Sequence, residues 1–266
     1  MTLPRRPGLL LAVLTVLALA VCVLMPDVVA PHPPDAIDPA AILRPPGAGH
    51  LFGTDQLGRD LFSRVVHSAR AALLVAVGAI ALSLAGGAVV GLASGFAGGW
   101  LDGLFMRAAD VLLTFPPLLL ALGVVAVLGS SATNVAVAVG FANLAPFARL
   151  VRAQVLHLRG RPYVHAATLS GVSPPAILFR HIVPNAAEPV VVVALVSLGA
   201  AMLASSSLSF LGFGPRPPAT DWGTLAAAGR DYLGSAWWLT TFPSLAVVVT
   251  VLAATTFARA LRKGRS

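Results

Sequence analysis

The chain has almost none of the residues that wet a protein surface. Of its 266 residues only 11% are charged; lysine occurs once, at Lys263, and glutamate once, at Glu188. A soluble domain carries about 25% charged residues and uses Lys and Glu freely on its exposed helix faces. Their scarcity, beside a hydrophobic content of 57%, excludes an ordinary soluble enzyme and a disordered tail. It points to a chain whose solvent is lipid. The formal net charge of +8 does not argue for a nucleic-acid partner, because basic residues in a membrane protein first report orientation.

Other absences narrow the function. Cys22 is the single cysteine, so no internal disulfide forms, and no Cys/His spacing resembles a zinc site. The apolar run continues past Cys22 through Leu24 and Met25, which argues against lipid acylation there. Lys263 stands between Arg262 and Gly264, so the Gly-Lys-Ser/Thr of a phosphate-binding loop is missing. Any ATP that drives this protein is hydrolysed on another chain. The apolar stretches contain no Asp, Glu, Lys, Arg or His, which counts against an ion-driven secondary transporter. Ser83, Ser94 and Ser197 have no histidine or carboxylate nearby in sequence, which counts against an intramembrane enzyme. The chain is expected not to be an enzyme, with no catalytic, cofactor-binding or metal residue of its own.

Six apolar segments are long enough to be spans. A helix needs about 20 mostly apolar residues to cross ~30 Å of hydrocarbon. The first is 8–25. Val28, Val29 and Ala30 loosely resemble a cleavage site, but the run is longer than a usual signal core, so a retained span is expected. No charge lies between Arg70 and Asp102, which allows a span over 71–95. Asp110 to Arg149 is also uncharged, and Gly129, Ser130 and Ser131 divide it into spans at 111–128 and 132–148. The last two are 189–213 and 236–258. Pro116, Pro117 and Pro146 each remove a backbone donor and mark places to kink. Gly87, Gly91, Gly95 and Gly99 recur every four residues, a bare stripe where a neighbouring backbone can approach.

An even number of spans puts both termini on one side. If that side is the cytoplasm, twelve of the eighteen Lys and Arg residues lie inside, among them Arg5, Arg6, Arg159, Arg161, Arg180 and Arg262, and seven of the ten acids lie outside. This is the sense the positive-inside rule requires, so both termini are expected in the cytoplasm.

The loop over 149–188 is then cytoplasmic and legible residue by residue. Pro162 can open a helix, residues 163–170 hold no breaker, and Gly171 suits the left-handed position past a helix end. Ser173 offers an N-cap with Pro174 at the first helical position. A second short helix over 176–182 is expected to stop by Pro184. Ala166 and Ala167 form a low surface flanked by Tyr163, Leu169 and Val172. Such a knuckle either docks into a partner's cleft or packs on its own bundle.

On the outer side, 26–50 is Pro-rich and reads as an extended linker. Asp55, Arg59 and Asp60 follow; they either pair with one another and cap a helix, or contact an external protein. Trp222, Trp237 and Trp238 fall where an aromatic belt is expected. His32, His50 and His67 are scattered along the outer segments and are not read as a metal site.

These residues resemble a known family. Ala166-Ala167, three residues, Gly171, and Pro184 thirteen residues on are similar to the Glu-Ala-Ala loop of binding-protein-dependent ABC importer permeases. The first position is His165 where that family has glutamate, and Val183 stands where leucine is usual. Gly53-Thr54-Asp55, then Gly58-Arg59-Asp60, resemble the signature of the C-type permease subunit of dipeptide, oligopeptide and nickel importers. The stretches 105–116 and 208–214 resemble it too. The resemblance implies an all-α polytopic membrane protein with six transmembrane helices: an N-terminal helix and outer linker over 1–50, and a type I ABC importer transmembrane domain over 69–262 with five helices and a cytoplasmic coupling helix. It implies a permease for peptides, with nickel or another small solute as the alternative. The implied partners are a second permease of similar fold, two ATP-binding subunits that carry the ATP, an external solute-binding protein and the bilayer of the cytoplasmic membrane.

Overall fold

The computed structural model describes residues 7–263. Arg5, Arg6 and Arg265, which enter the orientation argument, lie outside the described residues. The chain opens with helix α1 (Pro7–Leu24) and a single turn, α2 (Pro26–Val29). A linker leads to α3 (Leu61–Ala97), followed by α4 (Gly99–Thr114), α5 (Pro117–Leu128), α6 (Ala132–Ala142) and α7 (Leu144–Arg159). Two short helices, α8 (Pro162–Leu169) and α9 (Pro174–Ile177), precede α10 (Val183–Leu208). The chain closes with α11 (Trp222–Ala228) and α12 (Trp238–Lys263). Among the described residues no strand forms; Thr54 and Asp60 make one isolated bridge.

In hydrocarbon every backbone polar group needs an internal partner, so helices are the structures that cross. α3, the continuous run Pro174–Phe213 and α12 are each long and apolar enough. The pairs α4–α5 and α6–α7 qualify as broken spans, bent by 95° and 45°. These make up to five candidate spans among the described residues, and α1 is a shorter apolar helix beside them, where the sequence reading expects six. Leucines and valines such as Leu14, Leu74, Val89, Val127 and Leu252 point outward, exposed, as lipid-facing side chains do.

Two expectations need correction. The span over 111–128 is not one helix: it breaks at Phe115 and Pro116. A residue before proline is driven out of the helical region; Phe115 (ψ 137°) and Pro116 (ψ 130°) are both extended, and Pro117 starts the next helix. The helix after Ser173 does not stop by Pro184. It passes through a wide π turn, Leu178–Ile182, and Pro184 sits in the first turn of α10. The wide turn takes up the ring's clash with the preceding carbonyls, so the helix continues past the proline. Ser173 occupies the N-cap position of α9, but its side chain makes no cap bond.

The seam that organises the bundle is α3 against α7. A Cβ added to Gly87 would lie 2.5 Å from the Phe147 Cβ, and one on Gly91 2.6 Å from the Ala148 carbonyl oxygen. Gly95 faces Val155 in the same way. The glycine stripe is therefore a packing face. Gly99 does not belong to it: it opens α4 with open space around it. At the end of this seam, Arg159 Nη1 donates to the Gly95 and Phe96 carbonyls (2.8 and 3.0 Å) and satisfies the C-terminus of α3.

Replacing Gly91 by leucine forces these backbones apart and is expected to destabilise the protein by about 1–3 kcal/mol, as overpacking does. Gly123→Ala, in the interior of α5 with nothing within 4 Å of its Cβ position, is expected to keep or raise stability, by up to about 1 kcal/mol. Thermal unfolding of the detergent-solubilised protein measures both.

Candidate functional site

The hairpin between α7 and α10 is built by local signals and held by a core of its own. Pro162 opens α8, and Ser170 N–H donates to the Ala166 carbonyl at its end (2.9 Å). Gly171 follows in the left-handed region (φ 77°), where a side chain would be strained. From this turn Gly171 N–H reaches the Thr168 carbonyl and Val172 N–H the Ala167 carbonyl, both at 3.1 Å; the last carbonyls of α8 are thus satisfied. Val164, Ile177 and Ile182 turn inward and pack with Val151, Val155, Leu158, Ala186 and Val190. The outer surface carries Tyr163, His165, Ala166, Leu169, Gly171 and Phe179, all exposed. Arg161 Nη2 donates to His157 Nε2 at its base (2.9 Å). Ala167 is only half-buried, and Pro184 lies apart from the tip, in α10.

The same end of the bundle carries two ion pairs. Arg152 Nε and Nη2 donate to the two carboxylate oxygens of Asp102, each at 2.6 Å, and Ser94 Oγ donates to the same group. The Arg152 bonds and Ser94 together satisfy the Asp102 carboxylate. Asp102 precedes the uncharged stretch that starts at Val111. Arg149 pairs with Asp110 one turn further along. α4 is thereby tied to α7. Ser94 does have a carboxylate partner, eight residues away, which the sequence spacing did not suggest.

The outer signature closes on itself. Gly53 and Gly58 both take positive φ, and a Cβ on Gly58 would overlap the Asp38 carbonyl at 1.9 Å. Between them Asp55 is buried and accepts four bonds: from Leu57 N–H (2.8 Å), Arg59 N–H (3.0 Å), Arg59 Nε (2.7 Å) and Arg64 Nη1 (2.6 Å). Burial, and then repulsion from Arg59, lower the Arg64 guanidinium's pKa, while Asp55 and Asp35 oppose them. Thr54 Oγ1 accepts from Arg44 N–H (2.8 Å) and donates to the Ala41 carbonyl. Asp60 caps α3 through Ser63 N–H (2.8 Å). Of the two sequence readings, pairing and capping is the one these contacts match. Beside the knot, a cavity of about 620 Å³ is lined by Asp35, Gln56, Arg59, Arg64, Pro217 and Thr220.

Two outer expectations change. Trp222 and Trp238 are buried; their Nε1 groups donate to the Val65 carbonyl (2.8 Å) and the Thr54 carbonyl (3.1 Å). Only Trp237 of the three is exposed. A buried indole needs an acceptor, and a carbonyl in the first turns of α3 and one in the loop before it supply it. His32 and His50 are not scattered either: their rings lie 5.1 Å apart beside Asp60. His67 goes elsewhere, to the Ser63 carbonyl and Asp27.

Cutting a buried charge pair leaves the partner charge unpaired and costs about 3–5 kcal/mol, whereas an exposed pair contributes about 0–1 kcal/mol. Asp55→Ala is therefore expected to lower the yield of folded protein and its melting temperature sharply. Asp110→Ala, whose pair is half exposed, leaves both nearly unchanged. Size-exclusion profiles and thermal melts in detergent distinguish the two.

The comparisons with known proteins agree with one another. The family described as binding-protein-dependent transport system inner membrane component matches residues 87–265. The chain is 38% identical to the di/tripeptide transport system permease protein DppC of Pseudomonas aeruginosa, over 94% of this chain and 84% of that protein. It is 39% identical to the dipeptide transport system permease protein DppC of Alkalihalophilus pseudofirmus, over 81% and 71%. It is 41% identical to the glutathione transport system permease protein GsiD of Escherichia coli O6:K15:H31, over 78% and 69%. By this family match and these identities, on a helical, multi-pass fold, the chain belongs to the family of binding-protein-dependent transport system inner membrane components, the membrane permeases of ABC importers.

Proposed function

We propose that this chain is one of two permease subunits of an ATP-driven peptide importer, and that the hairpin around Gly171 is the point where the ATPase subunits act on it. The observation that carries the reading is the hairpin itself. It is an exposed helix, a left-handed glycine turn and a second helix, seated on a private apolar core that also includes α7 and the start of α10. A push on α8 therefore moves two spans together rather than bending a loop. Basic residues cluster at this end, which supports a cytoplasmic position for the hairpin and for both termini.

In this mechanism two ATP-binding subunits close on ATP and draw the hairpins of this chain and of a second, similar permease together. The spans rock, and a solute handed over by an external binding protein enters the path between the subunits. This chain supplies the path and the lever and no bond-making chemistry. The relatives named for di- and tripeptides, dipeptides and glutathione support a short peptide as the cargo. Nickel or another small solute has no such support.

Ala166 is exposed on α8 and its side chain makes no contact the hairpin needs. Ala166→Trp is expected to leave the permease folded but to cut ATPase co-purification and permease-stimulated ATP hydrolysis about tenfold or more, the effect of about 1.4 kcal/mol at a docking surface. Assembly and stimulation equal to wild type would remove the hairpin's assigned role. In proteoliposomes holding all subunits and the binding protein, ATP is expected to drive uptake of labelled dipeptides and not of Ni²⁺. The reverse result would replace the cargo.

A further inference from the structure

The outer linker folds back so that three ligand groups from separate places meet at the start of α3. One candidate ligand atom from each of His32, His50 and Asp60 lies within 4.8 Å of the other two. His50 Nδ1 is 2.9 Å and His32 Nδ1 3.9 Å from the same oxygen, Asp60 Oδ1. The other oxygen, Oδ2, accepts from Ser63 N–H (2.8 Å) and Ser63 Oγ (2.7 Å). Asp60 is thus oriented by one oxygen and presents the other to two imidazoles, the arrangement by which outer hydrogen bonds fix a ligating carboxylate.

A second observation sets the cluster apart from a simple His–Asp hydrogen bond. His32 Nδ1 is shielded from solvent and has no hydrogen-bond partner. A buried polar atom without a partner is destabilising, and this one faces the oxygen that His50 already contacts. The backbone holds both rings in place. His32 N–H donates to Ser63 Oγ (3.3 Å), and His50 exchanges two backbone bonds with Gly47 (2.9 and 3.1 Å). In a tetrahedral zinc site with bonds near 2.0–2.1 Å, ligand atoms sit ~3.3 Å apart. The two separations to Asp60 Oδ1 bracket that spacing, and all three ligand atoms lie within 4.8 Å of one another.

We propose that His32, His50 and Asp60 form a binding site for a divalent cation of the zinc class, with water completing the tetrahedron. Two imidazoles and one carboxylate suit such a borderline ion rather than Mg²⁺ or Ca²⁺, which prefer all-oxygen shells. The ion would staple the linker to the N-terminus of α3, next to the cavity lined by Asp35, Arg59 and Arg64. The proposal is independent of the cargo and of ATPase docking, and its test reads metal rather than transport.

The test uses the full chain, purified with its partner subunits, stripped of metal and dialysed against Zn²⁺. Wild type is expected to retain one more Zn²⁺ than the His32→Ala form, measured by elemental analysis. Co²⁺ in place of Zn²⁺ should give visible absorption bands of a tetrahedral site that vanish in His32→Ala. Its side chain is 43% exposed, so this substitution leaves the fold intact, which a matching melting temperature without metal verifies. His50→Ala is the second variant and should lose the same ion, while His67→Ala keeps it. Equal Zn²⁺ in wild type and both variants, or Co²⁺ bands that persist in them, overturns the site and leaves a hydrogen-bonded cluster. Binding that disappears only when His157, His165 and His181 are replaced overturns it too, by placing the ion on the hairpin.

Discussion

The close approach of α3 to α7 is the contact on which the rest of the bundle depends. In lipid, apolar side chains gain little by leaving one greasy surface for another, so helices associate where their backbones can pack closely. Gly87, Gly91 and Gly95 make that possible, because any side chain there would overlap Phe147, Ala148, Val151 or Val155. The seam then fixes what lies at its end. Arg159 reaches back to the last carbonyls of α3, Arg152 holds Asp102 on α4, and the chain leaves α7 at a defined point to form the hairpin. The seam thereby gives the hairpin a fixed root.

The two ends of the bundle use polar residues in opposite ways. At the linker end the charges turn inward. Asp55 satisfies four donors, Asp60 caps a helix, and two indoles close over the carbonyls of Thr54 and Val65. The motif there is chiefly a clasp between linker, α3 and α12. At the hairpin end the polar and small residues face outward. His165, Ala166 and Gly171 are exposed, and only the apolar side chains beneath them are buried. The clasp stabilises a fixed geometry, and the hairpin leaves its small and polar residues uncovered.

How much was legible tracks how local the cause is. The helix over Pro162–Leu169 and its glycine turn could be read directly, because proline and glycine act on their own dihedrals. The apolar segments and the packing role of the glycine stripe were legible for a similar reason: length and spacing along one helix decide them. The 95° bend at Phe115 was signalled by two prolines, but its size was not, since a proline states that a helix is interrupted and not where the next one points. Pro184 misled for the complementary reason. Proline stops a helix only where the preceding carbonyls cannot adjust, and the π turn at Leu178–Ile182 adjusts them.

The amino-acid sequence alone determined that the chain lives in lipid, that it is helical and polytopic, and that residues 161–182 form a turned, small-residue knuckle. These follow from composition and from torsional preferences that act within a few residues. Tertiary structure decided what had to be brought together from far apart: Trp222 onto Val65, Trp238 onto Thr54, Ser94 onto Asp102 and Arg152, and His32 beside His50 and Asp60. No local preference encodes such meetings. They exist because the linker is pinned to one helix end and the helices are pinned to one another, and only then do distant polar atoms find partners within hydrogen-bonding reach.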